Sequence, residues 1–362
     1  MTVRGYAPGR INLIGEHTDY NDGYALPIAL GVGATARFDP SISDSIAVSS
    51  REEGAAAAIP LDTSPGTGAV RGWPGYVAGC VWALREHGVR VPGGAMTIAS
   101  DVPVGAGLSS SAAIECAVLE ALVAASGSEA PDRTTLARIA QRAENEYVGA
   151  PTGLLDQMSS LYGEQDTALL LDFRSLAVDR VPMNLGTAVL LAIDSRTPHQ
   201  HAGGEYGARR RSCEAAAAEL GLSSLRDASD GAWTRTDDAV TARRARHVIT
   251  ENARVLAAAD ALASGDFTRF GELMVESHHS MRDDFEITVP AIDFIADEAC
   301  RFGAYGARMT GGGFGGTVVV LAPASAAERI VSELPEAVHS AGHPRPSIAA
   351  VRPGGGAFAE KT

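Results

Sequence analysis

Apolar residues along the chain recur with two periods, and the alternation between them predicts a mixed α and β protein. Ala95–Ser100 alternates as a short strand, and the Pro- and Gly-marked stretch Asp101–Gly107 behind it predicts a loop. Helix follows over Ser109–Ala125, where Ile114, Val118 and Leu122 repeat every four residues and Gly127 supplies the stop. Thr134–Val148 is a second helical stretch, with Leu136, Ile139, Ala140 and Ala143 on one side. Ala168–Asp172 and Ala188–Asp194 read as strands, the latter apolar throughout and therefore central in its sheet. Arg243–Ala263 and Phe267–His279 are helical, Thr317–Ala322 is another buried strand, and Gly354–Thr362 reads as a frayed tail. The stretch Val181–Gly186, which holds Pro182 and lies between two strands, is the expected seam between domains at residues 1–183 and 184–362. No period of 20 to 50 residues repeats, which excludes solenoids and propellers.

A length of 362 residues allows two domains, each able to bury a core. The formal charge of −14 argues against nucleic acid or an anionic membrane as partner and favours a small solute. The hydrophobic fraction is 45% without an apolar run of membrane-spanning length, and Met1–Arg10 lacks a leader's apolar segment, so a cytoplasmic protein is expected. Cys80, Cys116, Cys213 and Cys300 lie far apart and read as free thiols. The basic residues narrow the chemistry further: the only Lys is Lys361, and every other one is Arg. A Walker A loop, a protein-kinase strand lysine, a pyridoxal Schiff base and a lysine general base are thereby excluded. Phosphate, if handled, must meet backbone N–H groups, Arg and metal.

Three segments carry candidate chemistry. Ala7–Asn21 packs Arg10, Glu16, His17 and Asp19 into a near-terminal loop bracketed by glycines, equipment suited to recognising several hydroxyls or else a solvated turn with local salt bridges. Pro103–Ala113 runs from a strand through glycines to a helix N-terminus with Ser109, Ser110 and Ser111, which is an anion site by construction or an ordinary serine cap. Arg308–Gly316 formally satisfies a dinucleotide fingerprint at Gly311, Gly313 and Gly316. Its context refuses that reading, because it opens a strand where a Rossmann loop opens a helix. Five glycines in six places indicate close backbone approach to a ligand or loop, with a flexible turn as the alternative. Asp156, in an apolar neighbourhood, is either an exposed turn residue or a buried working acid, and Glu144 by default lies on a solvated helix face. His199, His201, His278 and His279 lack Cys or carboxylate partners at ligand spacing, so a metal there is not expected.

Together these segments resemble the GHMP family of small-molecule kinases, and Arg10–Leu30 resembles its galactokinase signature almost without change. Pro103–Ala113 is similar to the family's second motif and Arg308–Thr317 to its third. Glu144–Gln157, Glu205–Glu214 and Leu273–Phe285 resemble further shared blocks, so the likeness spans Arg4 to Leu321. Phe38–Val70 matches weakly and yields no adenine-contacting residue. The resemblance implies a two-domain α/β kinase fold, with a ribosomal protein S5 domain 2-like N-terminal domain, a ferredoxin-like C-terminal domain and the active site in the cleft between them. It implies ATP-dependent phosphorylation of galactose at the anomeric O1, giving α-D-galactose 1-phosphate. In that frame Asp156 is the catalytic acid/base and Arg10 its partner on the transferring phosphoryl group. Glu16, His17, Asp19, Gly153, Asp156 and Tyr206 form the sugar pocket, and Gly105, Ala106, Gly107, Leu108, Ser109, Ser110 and Ser111 cradle the ATP phosphates. Ser111 and Glu144 hold Mg²⁺, and the expected assembly is a monomer.

The chain departs from the family in beginning only six residues before the signature and in carrying Leu154–Leu155 where Ile-Met is commoner, a volume-conserving change. Competing readings are a kinase for N-acetylgalactosamine, arabinose or mevalonate, and a ligand sensor on the same scaffold without catalysis. Sensors of this kind lose the Ser-Ala pair of the second motif, whereas Ser111-Ala112 is present here. A dehydrogenase is the remaining alternative, and its single fingerprint stands in the wrong context.

Overall fold

The two hydrophobic periods resolve into three sheets and nine α-helices in the computed structural model, which describes residues 1–51, 54, 56–66, 70–103, 105–197 and 202–362. The strands are β1 (Val3–Asn12), β2 (Tyr24–Ala25), β3 (Pro27–Ser41), β4 (Ser45–Ser50), β5 (Ala56–Pro60), β6 (Gly93–Ser100), β7 (Thr167–Asp172), β8 (Ala177–Pro182), β9 (Ala188–Asp194), β10 (Gly306–Thr310), β11 (Thr317–Pro323), β12 (Ser347–Val351) and β13 (Phe358–Lys361). The helices are α1 (Pro74–Glu86), α2 (Ser110–Ser126), α3 (Arg133–Arg142), α4 (Leu155–Tyr162), α5 (Ala202–Glu219), α6 (Ala239–Ser264), α7 (Phe267–Ser280), α8 (Pro290–Arg301) and α9 (Ala324–Ser340).

The largest sheet runs β13-β1-β3-β6-β4-β5, antiparallel except where β4 lies parallel to β6. Helix α2 packs across β1 and β3, burying Cys116, Ala117, Ala121 and Leu122 against Ala7, Ile11 and Ala36. A four-stranded antiparallel sheet, β10-β11-β9-β12, carries α7, α8 and α9. In it β9 occupies an interior place, as its unbroken apolar run predicts. The small sheet β2-β7-β8 packs through β2 and β8 against α6, and β8 ends at Pro182, inside the expected seam. Among the described residues no helix is long and apolar enough to cross a membrane.

Two local expectations are corrected. The C-terminal stretch is not frayed: β13 pairs antiparallel with β1, Lys361 opposite Val3 and Phe358 opposite Tyr6, so the chain's two ends share one sheet. The opening of the first candidate segment, Ala7 to Asn12, is also strand instead of loop, since β1 extends to Asn12. The register between β1 and β3 shifts between Pro8 and Arg10, and there the Arg10 N–H donates to the Leu108 carbonyl (3.1 Å). This joins the end of β1 to the loop before α2. Val104, His199 and His201 lie outside the described residues.

Candidate active site

The three segments converge on one cleft of about 520 Å³. Its walls include Arg10 from β1, Glu16, His17 and Asp19 from the segment that follows it, Gly105 and Gly107–Ser111 before and at the start of α2, and Gly311–Gly313 from the hairpin between β10 and β11. Gly153 and Asp156, before and in the first turn of α4, and Tyr206 of α5 complete them.

Arg10 and Asp156 meet at the centre. Arg10 is buried, and its Nε and Nη2 donate to Oδ1 of Asp156 at 2.8 and 2.7 Å. Its Nη1 donates to the Gly107 carbonyl at 2.6 Å, so one guanidinium bridges the acid and the glycine loop. The open alternatives for Asp156 close on a partly buried carboxylate facing the cleft.

The loop ahead of α2 is shaped to receive an anion. Gly105, Gly107 and Ser109 all have left-handed φ, at 77°, 73° and 59°. Alternating backbone hands turn successive N–H groups toward one concavity. Ser109, the N-cap, makes no side-chain cap, so the first-turn N–H groups of α2 keep their capacity for a ligand. Ala106 is not part of the cleft wall: it is buried, and its carbonyl accepts from Thr317 Oγ1 (2.7 Å), fastening the loop to β11.

Glu144 overturns its default as a solvated residue. The helix of α3 widens into a π-helical turn, Ala143–Val148, which carries Glu144 inward until it is 4% exposed. There it accepts from the Ser111 hydroxyl, from Thr152 Oγ1 (3.0 Å) and from Gln157 Nε2 (2.9 Å). Burial first, and then the charge of Asp156, push its carboxyl up to about 7 against those hydrogen bonds. A hard carboxylate and a hydroxyl side by side at the anion loop fit Mg²⁺, which takes few protein ligands and completes its shell with phosphates and water. Among the described residues no group of three or more His, Cys, Asp and Glu gathers as a metal site. His278 instead pairs through Nε2 with Asp293 (3.2 Å) and accepts the Met309 N–H at Nδ1 (3.3 Å).

On the other side, Asp19 fits against Gly153 so closely that a Cβ there would stand 1.7 Å from Asp19 Oδ2, and only glycine leaves room. Burial and the neighbouring Asp156 push Asp19 up to about 6, while the backbone N–H groups of Tyr20 and Leu155 hold it down in part. His17 contacts the Tyr20 hydroxyl through Nδ1 (2.7 Å) and the Gly312 carbonyl through Nε2 (3.3 Å), with Tyr206 4.9 Å away between ring centres. Burial foremost, then His247, lowers it to about 3, so it is neutral. Glu16 reaches the cleft wall with its carboxylate already engaged by Arg308 and by the Gly311 N–H (3.0 Å). Tyr76, Thr152 and Leu155 also line the cleft, beyond the site residues expected from sequence. Tyr76 follows Pro74 at the start of α1, an ordinary helix opening that gives no sign of a site.

Comparison with known families agrees with this geometry. The galactokinase galactose-binding signature matches residues 3–40, the GHMP kinases N terminal domain residues 75–164, and the GHMP kinases C terminal model residues 258–340. Galactokinase from Mycobacterium tuberculosis (strain ATCC 25618 / H37Rv) is 54% identical over 353 residues, 96% of each chain. The chain belongs to the galactokinase family. Galactokinase from Streptomyces coelicolor is 42% identical over 97% of this chain and 92% of its own. The structure of Lactococcus lactis galactokinase complexed with galactose superposes with a TM-score of 0.91 at 30% identity, covering 99% of this chain and 95% of that one. Methanococcus jannaschii mevalonate kinase, at 17% identity, TM-score 0.69 and 98% of each chain, shares the fold. The mixed two-domain GHMP fold is thus the family's own, and the dehydrogenase reading falls.

Proposed function

We propose that this galactokinase-family chain transfers the γ-phosphoryl group of ATP to the anomeric O1 of galactose, giving α-D-galactose 1-phosphate and ADP. The observation that carries this reading is the Arg10 bridge, which holds Asp156 on the sugar side and the Gly107 carbonyl on the phosphate side. Phosphoryl transfer asks mainly for positioning and for neutralising charge on the equatorial oxygens. Asp156 accepts the hydrogen of the O1 hydroxyl as the new O–P bond forms and the bond from the γ-phosphorus to the bridging oxygen breaks toward ADP. Arg10 keeps Asp156 aimed and places positive charge beside the transferring group. Glu16, His17, Asp19, Gly153 and Tyr206 shape the sugar side, with Asp19 as a hydroxyl acceptor. Residues 105–111 supply N–H groups to the phosphates. Ser111 and Glu144 are the residues that would hold Mg²⁺, which when bound neutralises charge on the nucleotide phosphates.

The same reading carries a division near residue 183, with β13 returned to the first half, and a cytoplasmic monomer whose partners are galactose and ATP. The formal charge of −14 supports the absence of a nucleic-acid partner.

Asp156→Asn tests it. Galactose-dependent ADP release is expected to fall by about 10²- to 10⁴-fold, with galactose affinity by calorimetry kept within a few-fold. Turnover within tenfold of the unmodified chain would remove Asp156 from the chemistry.

A further inference from the structure

The loop from Asn12 to His17 belongs by sequence to the first half, yet the second half holds it. Arg308, at the centre of β10, is fully buried. Its Nη1 donates to the Leu13 carbonyl (3.1 Å), its Nη2 to Glu16 Oε2, and its Nε to Ser277 Oγ (3.2 Å). Behind it, Glu251 of α6 accepts the Gly15 N–H (3.0 Å) and the Ser277 hydroxyl (2.6 Å) on one oxygen. Thr310 Oγ1 donates to the Asn12 carbonyl (2.9 Å) and accepts the Asn12 N–H (3.1 Å). Asn12, Leu13, Gly15 and Glu16 therefore each have a polar group fixed by a side chain that lies more than 200 residues away in the chain. The other oxygen of Glu16 takes the Gly311 N–H, so the same device sets the glycine hairpin beside the cleft.

A buried ion pair of this kind adds little net stability over apolar residues of the same volume. What it supplies is direction: a planar guanidinium with five donors fixes several acceptors at once, which an ammonium does not.

We propose that Arg308 is a positioning residue for sugar recognition, setting from the C-terminal half the place of the loop that presents His17 and Asp19 to the sugar. The inference rests on the reading of that loop as the galactose site. It separates two properties of the cleft: sugar affinity depends on the Arg308 cluster, whereas nucleotide affinity, which rests on the loop before α2, does not.

Arg308→Lys keeps the charge and loses the fork, and Ser277→Ala removes the hydroxyl that accepts from Arg308 Nε while leaving the fork itself in place. Galactose Kd is measured by calorimetry without nucleotide, beside the KM values for galactose and ATP. For Arg308→Lys the galactose Kd and KM are expected to rise about tenfold or more, with the ATP KM within about twofold. Ser277→Ala is expected to move galactose affinity about threefold the same way. Val320→Ala, a core truncation on neighbouring β11, destabilises the same half without touching the loop and is expected to leave galactose Kd unchanged. A folded Arg308→Lys protein with galactose Kd within twofold of the unmodified chain overturns the inference, and should that variant not fold, an unchanged Kd in Ser277→Ala does so. If the unmodified chain itself binds no galactose, the functional reading fails and takes the inference with it.

Discussion

Burial and the neighbouring Asp156 raise the Asp19 carboxyl to about 6, so at neutral pH it is ionised against the preference of its surroundings. The folded chain takes up this proton at higher pH than the unfolded one, whose Asp titrates near 3.8. The group's contribution to stability therefore falls as pH rises through that window. Asp19→Asn removes the charge and is expected to stabilise the ligand-free chain at pH 7.5 by roughly 1–2 kcal/mol, allowing for partial exposure. The same change replaces the carboxylate proposed to accept from sugar hydroxyls, so galactose affinity is expected to fall about tenfold or more. Thermal unfolding and calorimetric titration of one protein sample check both. An Asn variant less stable than its parent, yet binding galactose normally, would place Asp19 outside the sugar site.

The loop from Gly105 to Ser109, proposed to hold the ATP phosphates, is shaped by backbone hand. Gly107 has φ 73° and lends its carbonyl to Arg10. Gly107→Ala forces a Cβ into that conformation at roughly 1–2 kcal/mol. The expected result is an ATP KM raised several-fold with galactose Kd unchanged, read from steady-state kinetics and calorimetry; an unaltered ATP KM would contradict the loop's role. This loop was legible beforehand because all of its determinants are local: a strand, glycines, serines and a helical period in one run of sequence. So were β9, β11 and the helices α2, α6 and α7, whose apolar patterns decide their own state. The strand at Phe358–Lys361 was not, since its partner lies more than 350 residues away and the preceding Gly354–Gly356 read as a loose end. The burial of Glu144 is not readable from its helical pattern for a related reason, and only the family resemblance places it in the site: a π-helical turn rotates it inward, and a 3.6-residue period does not contain that rotation. The role of Arg308 was equally hidden, because its acceptors sit on a distant loop, whereas the Ala7–Asn21 and Gly311–Gly316 segments announced themselves by charge and glycine density.

The whole molecule gathers ionisable groups whose titrations pull stability in opposite directions. Buried Glu16, Glu115 and Glu144 and partly buried Asp19 and Glu120 are all raised by desolvation, so each adds stability as pH falls from neutrality toward the ordinary carboxylate range. His17 and His247, lowered to about 3 and about 4, subtract it below about 6.5, where the unfolded chain's imidazoles take up protons first. Five groups against two, with a formal charge of −14 relieved on the same path, predict a ligand-free chain that melts at a higher temperature at pH 5.5 than at pH 7.5. Below about 4.5 the order reverses, because Glu251, lowered to about 2, and the two histidines then act together. Scanning calorimetry across pH 4 to 8 reads this directly, and a melting temperature rising steadily from pH 5.5 to 7.5 would contradict it. The central claim is that the two halves bring a sugar loop and a phosphate loop to one Arg10–Asp156 pair, so that phosphate goes from ATP to one hydroxyl of one sugar. Its most direct test is incubation of the unmodified chain with Mg-ATP and galactose, glucose, N-acetylgalactosamine, arabinose or mevalonate in turn, with ADP release measured and the phosphate position assigned by NMR. The account predicts galactose-dependent ADP with the phosphate on O1; binding of galactose and ATP without turnover on any of these compounds would contradict it and make the chain a sensor.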